Sequence, residues 1–279
     1  MSIIQHRKRK QIVSHLVSLF AVLIFAYPVV WILLASVKPE VQIYRYPLQL
    51  LPATWDFSIF QKVFTAAPIA TYLANSLLYS TGAVVISLGF ALCAAYGLSR
   101  HQFRGKQLIL ILILVVQMIP ALVTVIPLYL LMRSIGLYDS RLGMVLLYSA
   151  LRIPWGIWIL VGFLDQIPMA LDEAAYIDGA GQWTILRKII FPLAIPGLAS
   201  AAIFTFVGTW NEFAIASIIL RSTSNLSIPV GSLAMIAADP NDWRLIAATA
   251  TINLLPVLFV FSMLQKNIIA GLTRGAVKE

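Results

Sequence analysis

Apolar residues in this chain gather into long runs separated by short polar segments, and six of those runs reach roughly the 20 residues needed to cross a bilayer as a helix. They lie at residues 12–37, 72–99, 107–131, 142–164, 196–220 and 245–266. The pattern predicts an all-α membrane protein with six transmembrane helices. The first run is longer than the 7–15 residues of a signal-peptide core, and no small-x-small cleavage site follows it, so it reads as a true span. One polar island interrupts the second half of the chain, residues 171–196, LDEAAYIDGAGQWTILRKIIFPLAIP. It predicts a short helix over 171–177, with Asp172 and Glu173 near its positive end. Gly179 is placed to end that helix in the left-handed conformation. A second, amphipathic helix over 182–190 is expected to stop before Pro192. The product is a helix-turn-helix elbow whose tip, at Ala174 and Ala175, is small enough for another protein's backbone to approach.

Within the runs, the second carries two stripes of small residues at four-residue spacing. One is Ala83, Ser87, Ala91, Ala95 and Ser99, and the other is Gly89, Cys93 and Gly97. Small residues let helices pack closely in lipid, so both stripes predict a tightly packed central helix. Cys93, the single cysteine, reads as a small buried residue and leaves no disulfide framework or Cys-rich metal site. Pro120, Pro127, Pro154 and Pro256 are expected to kink their helices. Residues 38–70, with Pro39, Pro47, Pro52 and Pro68, are too long for a tight turn and are expected to lie along the outer surface in short pieces. Residues 221–244, rich in Ser, Asn, Asp and Pro, predict a second outer loop.

Composition agrees with the spans. Hydrophobic residues make up 60% and charged residues 11% of the 279, against roughly 25% charged in soluble domains. Mean hydropathy is +0.89. A net charge of +9 raises nucleic acid as a partner, but the bases flank apolar runs instead of forming one patch. Arg7, Lys8, Arg9 and Lys10, then Arg100, Arg104 and Lys106, then Arg187 and Lys188, then Lys266, Arg274 and Lys278 outnumber the bases of the alternate segments. By the positive-inside rule both termini and the 171–196 elbow face the cytoplasm. His6, His15 and His101 sit near membrane edges and are read as interfacial, not as metal ligands. No Gly-x-x-x-x-Gly-Lys-Ser/Thr phosphate loop and no His-Glu-x-x-His motif is present, so the chain is not expected to be an enzyme or to hydrolyse ATP itself.

Polar groups inside the spans are the candidates for a substrate path. Glu212 is an acidic residue deep in an apolar run, which makes it a functional hypothesis by default. Trp210 and Asn211 adjoin it, offering a ring for stacking and an amide for hydroxyl groups. Asn75 and Gln117 are further amides of the same kind.

The elbow also resembles a known family. Glu173-Ala174-Ala175, three residues, Gly179, nine residues, Ile189, one residue, then Phe191-Pro192 follows the EAA loop of ABC-importer permeases, with Phe191 where Leu is usual. Further likeness runs through Asn75-Ser76, residues 100–105 (RHQFRG), Asp178-Gly179-Ala180, Trp210-Asn211-Glu212 and the tail 271–278. The chain is similar to permease subunits of carbohydrate-uptake, binding-protein-dependent ABC transporters, the group containing the second maltose permease subunit. The resemblance implies the type I ABC importer permease fold, with Glu173, Ala174, Ala175, Asp178, Gly179 and Ala180 forming a cytoplasmic coupling helix. It divides the chain into residues 1–70 (tail, first span and outer loop), a core of 71–268 containing the EAA loop at 165–195, and a cytoplasmic tail, 269–279. It implies a location in the inner membrane of a prokaryote. The implied partners are a second, related permease, two copies of an ATPase subunit that use ATP and Mg, and an extracytoplasmic binding protein. Sugar is the implied cargo, with glycerol phosphate or a glycerophosphodiester as the alternative. An ion-coupled secondary transporter would need acids or His in several spans, and an intramembrane enzyme would need paired catalytic groups at workable spacing. Neither pattern is found.

Overall fold

A computed structural model describes the backbone of residues 2–47 and 49–276, and the side chains of 13–47 and 49–266. The basic cluster at residues 7–10 and the tail contacts at 271–278 therefore have side chains outside the described residues. Regular structure among the described residues is helical throughout. In chain order it comprises α1 (Ser2–Ser36), α2 (Glu40–Ile43), α3 (Ser58–Ala66), α4 (Ile69–Arg100), α5 (Lys106–Gln117), α6 (Ala121–Ser134), α7 (Arg141–Leu164), α8 (Ala170–Ile177) and α9 (Gln182–Ile185). A π-helical turn (Leu186–Ile190) leads into α10 (Phe191–Trp210), followed by α11 (Ala214–Ile219), α12 (Ile228–Ala238) and α13 (Trp243–Ala276). Five stretches are long and apolar enough to cross a membrane, and α5 with α6 makes a sixth if the two arms count as one span.

Four segments differ from the sequence expectation. The run at 107–131 is not one helix: α5 and α6 meet at a 93° bend. Pro120 is the cause, since it has no N–H to continue α5 and forces its predecessor out of helical geometry. The run at 196–220 is also broken, at residues 211–213, where α10 ends and α11 begins. The amphipathic helix at 182–190 does not stop before Pro192. It continues through the π turn into α10, with Pro192 seated just after that turn, where the hydrogen-bond ladder changes from π to α spacing. Residues 221–244 contain a helix, α12, in place of a simple loop.

The chain forms two compact units, Pro68–Ser232 with Leu255–Glu279, and Met1–Ala67 with Leu233–Leu254. In the larger, α4 lies against α7, and the predicted stripe of Ala83, Ser87, Ala91, Ala95 and Ser99 is buried throughout. The approach is close at two glycines: an added Cβ at Gly82 would stand 2.8 Å from the Val145 side chain, and one at Gly156 2.9 Å from the Ala91 side chain. The second stripe does not pack inside this chain. Gly89 and Gly97 have nothing within 4 Å of an added Cβ, and Cys93 is exposed, because α7 takes the other face of α4. Two apolar cores result, one on Leu92, Leu160, Leu164 and Ile190, the other on Tyr79, Met144, Tyr148 and Ile219.

Beyond the second core a loop is knotted onto Asp139, itself at φ 51°. Its carboxylate accepts from the Arg221 and Ser222 amides, at 2.9 and 3.1 Å, and from the Ser222 hydroxyl. Burial alone would raise Asp139, but these bonds outweigh it and hold its carboxyl below the usual range. Asn75 and Ser76 at the start of α4 bind the same loop. Asn75 Nδ2 donates to the Ser224 and Leu226 carbonyls at 2.8 and 3.0 Å, and Ser76 Oγ accepts from the Ile228 amide at 2.8 Å.

The smaller unit is tied by charge. Arg244 pairs with Asp56 at 2.8 Å, and Lys62 pairs with Asp242 at 2.7 Å. Asp242 also accepts from the Leu245 amide at 2.8 Å, capping the start of α13. The hydrogen bond to Asp242 holds Lys62 above the usual lysine range. Burial pushes Asp242 up, yet the Lys62 ammonium and the Leu245 amide bring it below the usual carboxylate range.

Candidate functional site

Two places in the larger unit gather the residues singled out in the sequence. The first is the elbow. α8 ends in a Schellman turn: the Ala180 amide donates to the Ala175 carbonyl at 2.9 Å, and the Gly179 amide to the Tyr176 carbonyl at 3.0 Å. Gly179 takes φ +81° with open space around it, so glycine is required there by conformation and not by crowding. Ala175 is buried against the body of the unit, whereas Glu173, Ala174, Asp178 and Gly179 are exposed and Ala180 is half-buried. Ile177 stands 87% exposed at the tip, and Trp183, six residues on, is also exposed, apolar surface that water alone does not favour.

What holds the elbow in place was not read from the sequence. Asp172 is buried, and its carboxylate lies 3.1 Å from Nε of Arg100 at the end of α4, with both side chains under a tenth exposed. The Nε–H is not aligned for a hydrogen bond, so the contact is an ion pair. Tyr96 donates to the same carboxylate at 3.1 Å. Arg100 Nη1 donates to the Leu164 and Ile167 carbonyls, both at 3.1 Å, closing the end of α7, and Ser99 donates to Asp165 at 2.6 Å. The available signal was a mixed-charge pair, Arg100 and Asp172, at the ends of two segments. Their separation by 72 positions hid the pairing.

The second place is a cavity of about 480 Å³. It opens where two helices are interrupted, between α5 and α6 and between α10 and α11, and α7 forms its remaining wall. Backbone that leaves helical geometry inside an apolar layer is tolerated only where protein or a wet cavity satisfies it. Gln117 closes α5 by donating to the Ile113 carbonyl at 3.1 Å. Glu212 spends its carboxylate on the second interruption. Oε1 accepts from the Ile215 amide at 2.8 Å, and Oε2 accepts from the Ala216 amide at 3.0 Å and the Tyr148 hydroxyl at 2.7 Å. The acid therefore caps α11 and fastens it to α7. Pro154 in α7 leaves the Ala150 carbonyl without its helical donor, and Ala150 lines the same cavity.

Of the sequence candidates, Gln117 and Glu212 meet at this cavity. Trp210 does not line it: the ring is buried and stacked on Phe206 with centroids 5.6 Å apart. Asn211 binds the Val207 carbonyl of its own helix at 3.0 Å, and Asn75 serves the loop described above. Sequence reading missed Trp155, a residue whose single-turn spacing from Arg152 is visible only once α7 is known to run unbroken through Pro154.

Interrupted helices around a polar-lined cavity, with a capped elbow at one end, are features of the membrane-spanning part of a transporter. The chain belongs to the family described as binding-protein-dependent transport system inner membrane component, whose model matches residues 83–274. It is thus a multi-pass permease subunit of the ABC importer class and not an enzyme. Among its relatives, the probable ABC transporter permease protein YurM of Bacillus subtilis is 34% identical over 94% of this chain and 87% of its own length. The galactooligosaccharides transport system permease protein GanQ of the same species is 33% identical over 95% and 94%. A solved bacterial ABC transporter involved in import of the acidic polysaccharide alginate contains a chain with a TM-score of 0.77 at 26% identity, covering 95% of this chain and 98% of that one.

Proposed function

We propose that this chain forms half of the translocation path of a sugar importer and receives ATP-driven motion through residues 173–180. A second, related permease supplies the other half, two ATPase subunits with ATP and Mg supply the work, and an extracytoplasmic binding protein delivers the sugar. The elbow and both termini face the cytoplasm in this reading, as the flanking bases indicate. The observation that carries it is the elbow's construction: Glu173, Ala174 and Ile177 are presented outward by a helix that Gly179 terminates and Asp172 anchors. An exposed apolar tip on a fixed base fits a cleft in a partner. Sugar is supported by the galactooligosaccharide and alginate systems to which the chain is similar. Gln117 and Glu212 border the path, while Trp210 and Asn211 belong to the end of the helix that leads to it and Asn75 holds the loop at 224–226.

The test is uptake and ATP hydrolysis by the assembled importer carrying Glu173→Lys or Gly179→Pro. Transport is expected to vanish while membrane insertion is kept. Normal substrate-stimulated ATP hydrolysis in either variant would remove the elbow from the coupling path.

A further inference from the structure

The cavity between α5, α6, α7, α10 and α11 contains one cation and one anion, and they are not equally available. Glu212 is engaged by three donors of its own chain. Arg152 has no carboxylate within 4 Å among the described residues; its Nε donates to the Thr209 hydroxyl at 3.3 Å. Its guanidinium lies so close over Gly208 that an added Cβ there would stand 3.0 Å from Cζ. The side chain is thus held by one edge and one face, and the Nη edge has no protein acceptor assigned to it. An arginine fixed in this way presents a planar fork of donors. Beside it in the lining is Trp155, 43% exposed, with Gln117 across the α5–α6 bend.

Resting on the sugar-importer reading, we infer that Arg152 and Trp155 form a saccharide-contact site and that its ligand is an uncharged sugar unit. The fork donates to a pair of neighbouring hydroxyls, and the indole face covers the apolar face of the ring. Gln117 Oε1 and the Ala150 carbonyl offer acceptors for hydroxyl protons. The charge count selects neutral over acidic ligands. Arg152 and Glu212 already balance, so a carboxylate or phosphate would leave the cavity with an uncompensated negative charge in a medium that penalises it. Trp155 takes the stacking role that the sequence assigned to Trp210, which is buried elsewhere.

The deciding experiment uses the complete importer in proteoliposomes with its binding protein, and radiolabelled galactobiose and a diuronate as probes. Wild type is expected to accumulate galactobiose. Arg152→Gln and Trp155→Ala are each expected to lower that uptake about tenfold, the scale of one lost charge-assisted hydrogen bond or ring contact. Arg152→Lys, which keeps the charge but not the fork, is expected to stay low. Co-purification of the partner subunits is checked for every variant; if Arg152→Gln does not assemble, Trp155→Ala decides, since that side chain is half-exposed and outside the cores. Galactobiose uptake at the wild-type rate in Trp155→Ala overturns the site while leaving the sugar-importer reading intact. Uptake of the diuronate alone overturns the neutral-ligand assignment. Uptake of neither by wild type overturns the sugar reading, and the site with it.

Discussion

At the scale of single residues, the strongest constraint is the Arg100–Asp172 pair. Both side chains are nearly enclosed, and each charge is tolerable only because the other is present. Removing one partner of such a pair typically costs about 3–5 kcal/mol, since the survivor is stranded without water. Asp172→Asn and Arg100→Met are therefore expected to loosen α8, and hydrogen exchange of the 173–180 amides should rise by orders of magnitude while α4 stays protected. Unchanged exchange in both variants would show that Ala175 and the Schellman turn alone hold the elbow. Residue chemistry was partly legible beforehand. Gly179 was readable because a left-handed helix end has few alternatives, and the structure puts it at φ +81°. Asp172 was not, since a carboxylate in the first turn of a helix looks the same whether it faces water or a buried guanidinium.

Elements bring a different lesson. Hydrophobic runs located the spans, but they are blind to breaks, because Met118, Ile119 and Phe213 are as apolar as the helices they interrupt. Both breaks are marked by a single residue within the run and not by its hydropathy: a proline at 120, and a carboxylate at 212 bound to the amides of the next helix. The π turn at Leu186–Ile190 was equally invisible, since it inserts a residue without changing polarity. A wider turn absorbs that extra residue while keeping the flanking segments nearly in phase. Deleting Lys188 should restore α-helical pitch, leave the elbow close to its present orientation and shorten the connection by about 1.5 Å. Such a variant is expected to insert normally, as judged by protease protection, and to keep uptake. Loss of uptake with normal insertion would show that the π turn or Lys188 itself serves the elbow.

For the molecule as a whole, the two units are held by different forces, apolar packing of small residues in one and half-buried ion pairs in the other. The second kind responds to pH. Asp242 is held below its ordinary range, so its contribution is complete above about pH 4 and lost as pH falls through its folded-state value. Lys62 is held above its range, so its contribution is complete below about pH 10.4 and lost as pH rises through its own folded-state value. Protection of the Leu245 amide, corrected for intrinsic exchange, is expected to be flat between these limits and to fall below about pH 4. A fall centred near neutrality would assign the capping of α13 to another group. The guanidinium of Arg100 has one last consequence, best put mechanically. It grips the last turn of α4, the closing carbonyls of α7 and the carboxylate of α8 at once, so these three move as one stiff arm. A load applied at the elbow is not absorbed at its root. It is expected to pass along the arm to the interrupted backbone at 118–120 and 211–213, where Ile119 and Glu212 line the cavity.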